Sequence, residues 1–382
     1  MTGPGHLVPP EAVGALVALL AAIWIALALA LDLRRRQAPV LPNLPDSAAP
    51  PPPTTILLPV RDEEANLTAC AATLVAQGGA PALRIVDDGS TDRTAAILAR
   101  IARDEPRVTA LAARPPAPGW GGKVNALATG FAGVSTPWIL LTDADTRHQP
   151  DLLARAHAAA AEHRLDALSL SGRQLTVGLG ESLLTPAAYA LLDLMLGDWR
   201  PFARGEGPTA IANGQYFLLK SGALRTIGGF AAISGDPLDD VALAGALRAG
   251  GFRVGFRRAG AALQVRMYEG GAATFRGWRR NFALFVAARP AVVLAAIALT
   301  VATTGALLLA LVHRSPATFA AGWLAGAAAS ATIRKSSGNN PFTGAFFPLD
   351  VLLLAASLAL AMIDRTRGRA ASWRGRQIEI RR

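Results

Sequence analysis

The segment from Trp138 to Asp145 constrains the fold more than any other part of the sequence, because a short apolar run ends there in two closely spaced acids. Trp138 to Thr142 predicts a strand that is buried on both faces of a parallel sheet. Ligands of open α/β sheets bind just beyond the carboxyl ends of the strands, where Asp143 and Asp145 emerge. Residues i and i+2 of an extended chain point the same way, so the two carboxylates can hold one Mg²⁺ or Mn²⁺ together with substrate phosphates. The alternative is an aspartate-rich turn that only closes the strand.

Apolar strand segments alternate with helical segments over residues 54–289, which predicts an α/β fold with a predominantly parallel sheet. The predicted strands are Thr55 to Leu58, Leu83 to Asp87, Val108 to Leu111, Trp138 to Thr142 and Gln215 to Lys220. The predicted helices are Glu63 to Gln77, Thr91 to Arg103 and Asp239 to Ala249.

An acidic turn directly follows the first predicted strand, with the sequence Pro59-Val60-Arg61-Asp62-Glu63-Glu64. A turn bent by proline at the carboxyl end of a strand exposes backbone amides and a carboxylate that can hydrogen-bond a base or a ribose. Alternatively, these acids only suit the positive end of the dipole of the following helix.

A second acidic turn directly follows the second predicted strand, with the sequence Asp87-Asp88-Gly89-Ser90-Thr91-Asp92. Gly89 permits a tight turn, in which one aspartate can bind a base or a ribose while the other caps the turn. The alternative is an Asp-Gly turn with a Ser/Thr cap and no ligand.

Two further motifs bring a cation and more carboxylates toward the same site. The loop from Gly119 to Ala126 lets Lys123 and backbone amides approach a diphosphate closely, although it lacks the spacing of a P-loop. The segment Gly235 to Asp240 precedes a predicted helix. Asp239 either caps that helix, or one acid of the Asp239-Asp240 pair faces the site as a general base.

The run from Val13 to Leu31 is uncharged, apolar and long enough to cross a bilayer. Three arginines, residues 34–36, follow it and no lysine or arginine precedes it, so the positive-inside rule places residue 34 onward in the cytoplasm. A cleaved signal peptide is the alternative, but its basic n-region is missing. Residues 38–53 are rich in proline and predict a stiff, extended linker.

Three more apolar segments lie near the C-terminus, namely Ala291 to Val312, Thr318 to Ile333 and Ala345 to Ile363. If the arginine-rich end of the chain stays in the cytoplasm, two of them cross the membrane and residues 318–333 lie at its surface or re-enter. Ser182 to Leu196 is short for a span and predicts an interfacial helix. Asp350 is either a functional intramembrane acid or a residue near the interface.

Composition narrows the function classes. The chain is 52% hydrophobic with a net charge of +11, and its basic residues cluster beside apolar stretches. This pattern favours a membrane surface and argues against nucleic acid as a partner. The single cysteine, Cys70, excludes an internal disulfide and is interpreted as a core residue.

Taken in order, the motifs of residues 54–285 resemble those of the family 2 glycosyltransferases. The resemblance implies a GT-A (nucleotide-diphospho-sugar transferase) fold and inversion at the anomeric carbon. It implies that Asp143 and Asp145 hold Mg²⁺ or Mn²⁺, and that Asp240 is the base, with Asp239 as the alternative. The implied donor-binding residues are Pro59, Val60, Glu63, Asp87, Asp88, Lys123, Asp143 and Asp145.

The Gly-Trp-x-Gly-Lys loop, the N-terminal anchor and the tail Trp373-Arg374-Gly375-Arg376 resemble the branch that glycosylates carotenoids and includes hopanoid-associated enzymes. Processive members carry Gln-x-x-Arg-Trp where this chain has residues 277–281, so one sugar per acceptor is expected. Weaker candidates for contacts with the acceptor, a phosphate or lipid headgroups are Trp278, Arg279 and Arg280.

The resemblance implies a multi-pass enzyme of a bacterial-type plasma (inner) membrane that moves a sugar, in the cytoplasm, from a nucleotide-sugar donor such as UDP-glucose to a hydroxyl of a lipid acceptor. The expected organisation is an anchor (1–33), a linker (34–53), a catalytic domain (54–289), a membrane region (290–363) and a basic tail (364–382). One alternative is a polyprenyl-phosphate glycosyltransferase, whose acceptor is already ionised. Another is a nucleotidyltransferase, whose glycine-rich signature after the first strand is absent.

Overall fold

The structure is a computed structural model that describes residues 9–44, 49–236, 238–286, 289–367, 371–373 and 376–378. Parts of the predicted anchor, linker and basic tail lie outside these residues, as do Arg374 and Gly375 of the tail motif. The described residues include every predicted site residue.

Eight strands form one mixed sheet, and two short strands form a hairpin near the C-terminus. The strands are β1 (Thr54–Val60), β2 (Ala82–Asp87), β3 (Val108–Ala112), β4 (Trp138–Thr142), β5 (Thr146–His148), β6 (Ala167–Gln174), β7 (Tyr216–Lys220), β8 (Val254–Val265), β9 (Ala371–Trp373) and β10 (Arg376–Ile378). Their order across the large sheet is β3-β2-β1-β4-β7-β6-β8-β5.

One half of the sheet is the parallel arrangement that the sequence predicts. β1 lies between β2 and β4, and β3 flanks β2, with every pair parallel. Ile56 and Leu58 of β1 pack into the core on one face of the sheet, whereas Leu57 packs into the core on the other. Both faces are therefore buried, and the carboxyl ends of these strands share one edge.

The other half of the sheet reverses direction at β7. β7 runs antiparallel to both β4 and β6, whereas β8 is parallel to β6 and β5 is antiparallel to β8. Because Thr142 at the end of β4 pairs with Tyr216 at the start of β7, the turn before β7 lies beside Asp143. This reversal therefore brings a second segment to the edge where the acids emerge.

Helices cover both faces of the sheet and form a separate layer at one end. They are α1 (Pro10–Gln37), α2 (Leu67–Val75), α3 (Thr94–Asp104), α4 (Gly122–Phe131), α5 (Leu152–Glu162), α6 (Leu179–Leu196), α7 (Trp199–Ala203), α8 (Ser221–Thr226), α9 (Asp239–Ala249), α10 (Gly271–Phe285), α11 (Pro290–Val312), α12 (Pro316–Ser336) and α13 (Leu349–Thr366). Two 3-10 helices span Gly229–Ile233 and Pro341–Phe346.

Helix ends differ from the predictions where polar side chains form turns. α9 has the predicted bounds, but α2 begins at Leu67 rather than Glu63, because the amides of Asn66 and Leu67 first close a turn on the carbonyl of Glu63. α3 begins at Thr94, whose amide donates to Oδ1 of Asp92 at 2.9 Å. The extra residues between strand and helix lengthen both acidic turns.

In the described part of the chain, three helices are long and apolar enough to cross a membrane, namely α1, α6 and α11. These helices indicate membrane association. Pro186 lies inside α6, a continuous helix of 18 residues. α12 and α13 occupy the other two apolar segments. Which helices cross, and in which direction, stays a prediction.

The first residues of the predicted linker lie against the domain. Val40 forms a parallel bridge with Arg258 of β8, and Leu41 is buried in the core. Nε of Arg155 on α5 donates to the carbonyl of Pro42 at 3.0 Å. These contacts hold the sheet close to the end of α1.

A buried ion pair joins three helices of the end layer. Nη1 of Arg334 on α12 lies 2.9 Å from Oδ2 of Asp350 on α13, and their side chains are only 1% and 2% exposed. Oγ of Ser330 donates to the same carboxylate oxygen, and Nη2 of Arg334 donates to the carbonyls of Ser182 and Leu183 on α6. Asp350 is therefore the counter-charge of a buried arginine.

Replacing Asp350 with alanine is expected to destabilise the protein strongly, because Arg334 would stay buried without its counter-charge, a loss that costs about 3–5 kcal/mol. The matched control is Glu206→Ala, which removes the acid of an exposed ion pair. The side chains of Arg204 and Glu206 are 46% and 52% exposed, so little change in stability is expected. Thermal unfolding in detergent measures both variants. Equal midpoints for the two would contradict the structural role of the buried pair.

Candidate active site

Carboxylates from two distant segments converge on one lysine. Nζ of Lys123, on the first turn of α4, lies 2.9 Å from Oδ1 of Asp143 and 3.4 Å from Oδ2 of Asp239. Burial disfavours the ammonium ion, but the carboxylates of Asp143, Asp239 and Asp240 outweigh it and raise the pKa of Lys123. Lys123 is therefore a fixed positive charge, and it lines one cavity with Asp239 and Asp240.

The turn before β7 supplies a contact that the sequence analysis missed. The amide of Gly214 donates to Oδ2 of Asp240 at 2.7 Å. A Cβ atom at Gly214 would lie only 2.9 Å from Nζ of Lys123 and 3.5 Å from Oδ2 of Asp143. Any larger residue would therefore force the end of the Lys123 side chain to shift. A single glycine before a strand forms no sequence pattern from which its position beside Lys123 could be predicted.

Asp145 has the environment of a metal ligand. Burial raises the pKa of Asp145 to about 7, and the carboxylates of Asp143 and Glu63 add to the effect. Its Oδ1 atom is buried and accepts no hydrogen bond from the described residues. A desolvated carboxylate oxygen without a donor is a suitable ligand for a hard divalent cation.

Asp143 and Asp145 fit such a cation only in part. Among the described residues, no group of three or more His, Cys, Asp or Glu side chains could hold a metal ion. A cation bound by these two carboxylates would need phosphate oxygens to complete its coordination. That donor set is typical of Mg²⁺ sites in nucleotide enzymes.

Asp240 is held more firmly than its neighbour. Its Oδ1 accepts the amide of Val241 at 2.8 Å, while its Oδ2 accepts the amide of Gly214. Burial raises the pKa of Asp240 to about 6, with a further contribution from Asp239 and an opposing one from Lys123. Asp240 is thus a positioned carboxylate whose protonation changes near neutral pH.

The first acidic turn begins two residues later than predicted. Pro59 and Val60 belong to β1, where they pair with Val86 and Asp87 of β2. The chain leaves the strand only at Arg61. The sheet register therefore holds Pro59 and Val60 beside the second acidic turn.

The two acidic turns pack against each other. Oδ1 of Asp87 accepts the amide of Ser90 at 2.9 Å and its hydroxyl at 2.5 Å, so Asp87 caps its own turn. Asp88 is 4% exposed, and its Oδ2 lies 3.7 Å from Nη1 of Arg61. The amide of Glu63 donates to Oγ1 of Thr94 at 2.7 Å. The structure thus brings Glu63, Asp87 and Asp88 together at one end of the site.

Three consecutive residues of α10 have different surroundings. Trp278 is 2% exposed and packs between α6 and α13. Arg279 forms two hydrogen bonds with Asp364, of 2.6 and 2.7 Å, at the end of α13. Arg280 faces Tyr268, whose phenol also accepts from Asn281. Trp278 and Arg279 therefore connect helices, whereas Arg280 lies on the side of the catalytic cluster.

Residues 55–182 match the family model described as Glycosyl transferase family 2. The two acidic turns, Lys123 and the Asp143-Ala144-Asp145 motif all lie within this match, whereas Asp239 and Asp240 lie beyond it. No curated protein matches the chain.

Two solved structures are similar to this chain to different degrees. A mannosyltransferase, PcManGT from Pyrobaculum calidifontis in complex with GDP-Man and Mn2+, is 20% identical, with a TM-score of 0.54 over 94% of this chain and 99% of that one. TarS of S. aureus is 12% identical, with a TM-score of 0.39 over 84% of this chain and 56% of that one. The likeness to PcManGT confirms the predicted GT-A fold with its mostly parallel sheet.

Replacing Gly214 with alanine is expected to slow catalysis without unfolding the protein, because the new methyl group would push Nζ of Lys123 away from the acids. The expected loss of rate is about tenfold, which corresponds to a rise of about 1.4 kcal/mol in the activation free energy. The matched control is Gly222→Ala on α8, where an added Cβ meets nothing within 4 Å. The rate of nucleoside diphosphate release and the unfolding midpoint should be measured for both. Wild-type rates in the Gly214 variant would contradict the tight approach.

Proposed function

We propose that this chain, a glycosyltransferase whose residues 55–182 carry a family 2 glycosyltransferase domain, transfers one sugar with inversion from a nucleotide-sugar donor to a hydroxyl of a lipid acceptor. The observation that carries the proposal is the meeting of Lys123, Asp143 and Asp240 around Gly214. It provides a cation for a leaving diphosphate next to a carboxylate that can act as a base.

The donor is proposed to bind across the carboxyl ends of β1, β2 and β4. Glu63, Asp87 and Asp88 would contact the nucleoside, because both acidic turns end in that corner of the site. Asp143 and Asp145 would hold Mg²⁺ or Mn²⁺ with the diphosphate, and the metal would supply Lewis-acid stabilisation of the leaving group. UDP-glucose is the donor that the family resemblance suggests, whereas the structure of PcManGT is a complex with GDP-Man.

Asp240 is proposed as the base rather than Asp239. The acceptor hydroxyl must lose its proton as its oxygen attacks the anomeric carbon from the face opposite the leaving group. Two backbone amides orient the carboxylate of Asp240, and its pKa of about 6 leaves it largely ionised at neutral pH. Asp239 lies 3.4 Å from Lys123 and helps to balance its charge.

The acceptor is proposed to be a membrane lipid with a free hydroxyl, such as a carotenoid or a hopanoid. α1, α6 and α11 support membrane association, and the layer around Trp278 joins α6 and α13 to the sheet domain. Non-processive transfer agrees with the absence of Gln-x-x-Arg-Trp at residues 277–281. With residue 34 onward in the cytoplasm, the domain would meet nucleotide sugars at the inner face of the plasma membrane.

A polyprenyl phosphate is the second candidate acceptor. Arg280 supports it, because this residue lies next to Tyr268 and, unlike Arg279, forms no ion pair with an acid that the structure describes. A phosphate acceptor needs such a cation nearby. No observation favours a nucleotidyltransferase.

Metal dependence tests the donor site. Detergent-purified protein is expected to release nucleoside diphosphate only with Mg²⁺ or Mn²⁺. The Asp145→Ala variant is expected to lower the rate of this release about 10²-fold or more, because the activation barrier rises by several kcal/mol. Asp151→Ala, at a side chain that is 55% exposed, is the matched control and should keep the wild-type rate. Full activity of Asp145→Ala, or of the wild type in EDTA, would refute the assignment.

The pH profile tests the base and separates the two acceptor classes. With a hydroxyl acceptor, kcat/KM should fall as the pH drops below about 6, because Asp240 becomes protonated. Asp240→Asn should remove this acid limb of the pH profile and lower the rate about 10²- to 10⁴-fold, whereas Asp239→Asn should retain the acid limb. With a polyprenyl phosphate, Asp240→Asn would be tolerated. If only Asp239→Asn abolishes the limb, Asp239 is the base.

A further inference from the structure

A pocket of about 310 Å³ lies among the end of α1, strands β6 and β8, helix α6 and the turn after α12. It is separate from the cavity that Lys123 and Asp240 line. Its lining contains one carboxylate, that of Asp193, and four basic side chains. The basic residues are Arg35, Arg173, Arg258 and Lys335.

The carboxylate in this lining is already neutralised. Nε of Arg35 lies 2.6 Å from Oδ2 of Asp193, and the Arg35 side chain is only 4% exposed. Nη1 of Arg35 also donates to the carbonyl of Ile333 at 2.7 Å and to Oγ of Ser336 at 2.8 Å. The pair is satisfied, so the other three cations determine the charge of the pocket.

Arg173, Arg258 and Lys335 form no ion pair with any acid that the structure describes. Arg258 instead donates to the backbone carbonyls of Arg35, at 2.9 Å, and Ser336, at 3.5 Å. Burial lowers the pKa of Arg258, and the nearby Arg35 adds to this although Asp193 opposes it. Because Asp193 is already paired with Arg35, a bound anion would supply the counter-charge that the described acids do not give these three side chains.

Helix ends explain only part of this charge. Arg35 and Lys335 lie in the last turns of α1 and α12, where positive charge complements the helix dipole. Arg173 and Arg258 come from β6 and β8, where no helix end requires them. Gly338 has a φ of +77°, and a Cβ there would lie 3.0 Å from Nε of Arg173, so this glycine lets the arginine pack along the turn.

With α1 crossing the membrane as the sequence predicts, the pocket lies at the level where a bilayer presents its headgroups. α1 is a candidate span, and its apolar part ends at the arginines of residues 34–36. Arginines that flank a span lie at the membrane surface. Thr185, Pro186 and Tyr189 of α6, which the sequence predicts to lie in the membrane interface, form another wall of the pocket. A phosphate carried by a lipid would therefore reach this pocket directly.

We propose that this pocket binds the phosphate headgroup of an anionic membrane lipid through Arg173, Arg258 and Lys335. The site goes beyond the proposed sugar transfer, because it does not include the donor cavity. The pocket nevertheless lies close to the donor cavity. Nε2 of Gln174, in the pocket wall, donates to Oε1 of Gln215 at 3.3 Å. Gln215 directly follows Gly214, whose amide orients Asp240. The bound lipid would thus support the turn that carries the catalytic contact.

Thermal unfolding of the detergent-purified full chain tests the site without any sugar-transfer assay. Added phosphatidylglycerol is expected to raise the unfolding midpoint, whereas phosphatidylcholine should not. Arg173→Ala combined with Lys335→Ala should weaken the apparent affinity for phosphatidylglycerol about tenfold, about 1.4 kcal/mol. The charge-matched control combines Arg200→Ala and Arg204→Ala, at side chains that are 57% and 46% exposed outside the pocket. If the double variant is unfolded in phosphatidylcholine, the single variant Arg173→Gln replaces it in the same measurement.

Each outcome decides the proposal. A phosphatidylglycerol shift that only the pocket variants lose would support it. An equal shift in the pocket and control variants would overturn it in favour of general surface charge. An equal shift with inorganic phosphate, lost in the pocket variants, would mean a site for free phosphate and would overturn the lipid assignment. No shift in the wild type would also overturn it.

Discussion

The ion pairs of Lys123 are the interaction on which the rest of the site depends. Asp143, Asp239 and Asp240 come from two segments far apart in the chain, and their carboxylates would repel one another where water is largely excluded. One ammonium group, 2.9 Å from Asp143 and 3.4 Å from Asp239, offsets that repulsion. In the proposed reaction the same group would meet the charge of a departing diphosphate, so what stabilises the unliganded site would also serve catalysis.

The reversal of the sheet at β7 places these charges beside the helical layer. β7 pairs with β4 in the opposite direction, so its leading turn brings Gly214 to Asp240. α6, which follows β6 in the chain, belongs to the layer that contains Trp278. The two acidic turns, which are proposed to bind the nucleoside, lie on the parallel half of the sheet. The acceptor is therefore expected on the opposite side, where α6 and α10 pack.

Much of the fold and the site could be predicted because their signals are local. Apolar runs that end in acids indicate parallel strands with ligand-binding ends, and this pattern singled out Asp143 and Asp145. The glycine-rich loop before Lys123 singled out that lysine. Gly214 was missed because its importance comes from atoms of residues far away in the chain. Trp278 and Arg279 were grouped with Arg280 because they are adjacent, but successive residues of a helix point about 100° apart and meet different neighbours.

The sequence by itself determined the alternation of strands and helices, the acids at the strand ends and the apolar helices, because periodicity and composition act over short stretches of chain. Only the tertiary structure decided which acid each cation meets: Lys123 with Asp143 and Asp239, Arg279 with Asp364, Arg334 with Asp350. Ion pairs act over a few ångströms of space, and no short-range pattern encodes which distant segments the antiparallel pairing of β7 and the packing of the helices will bring that close.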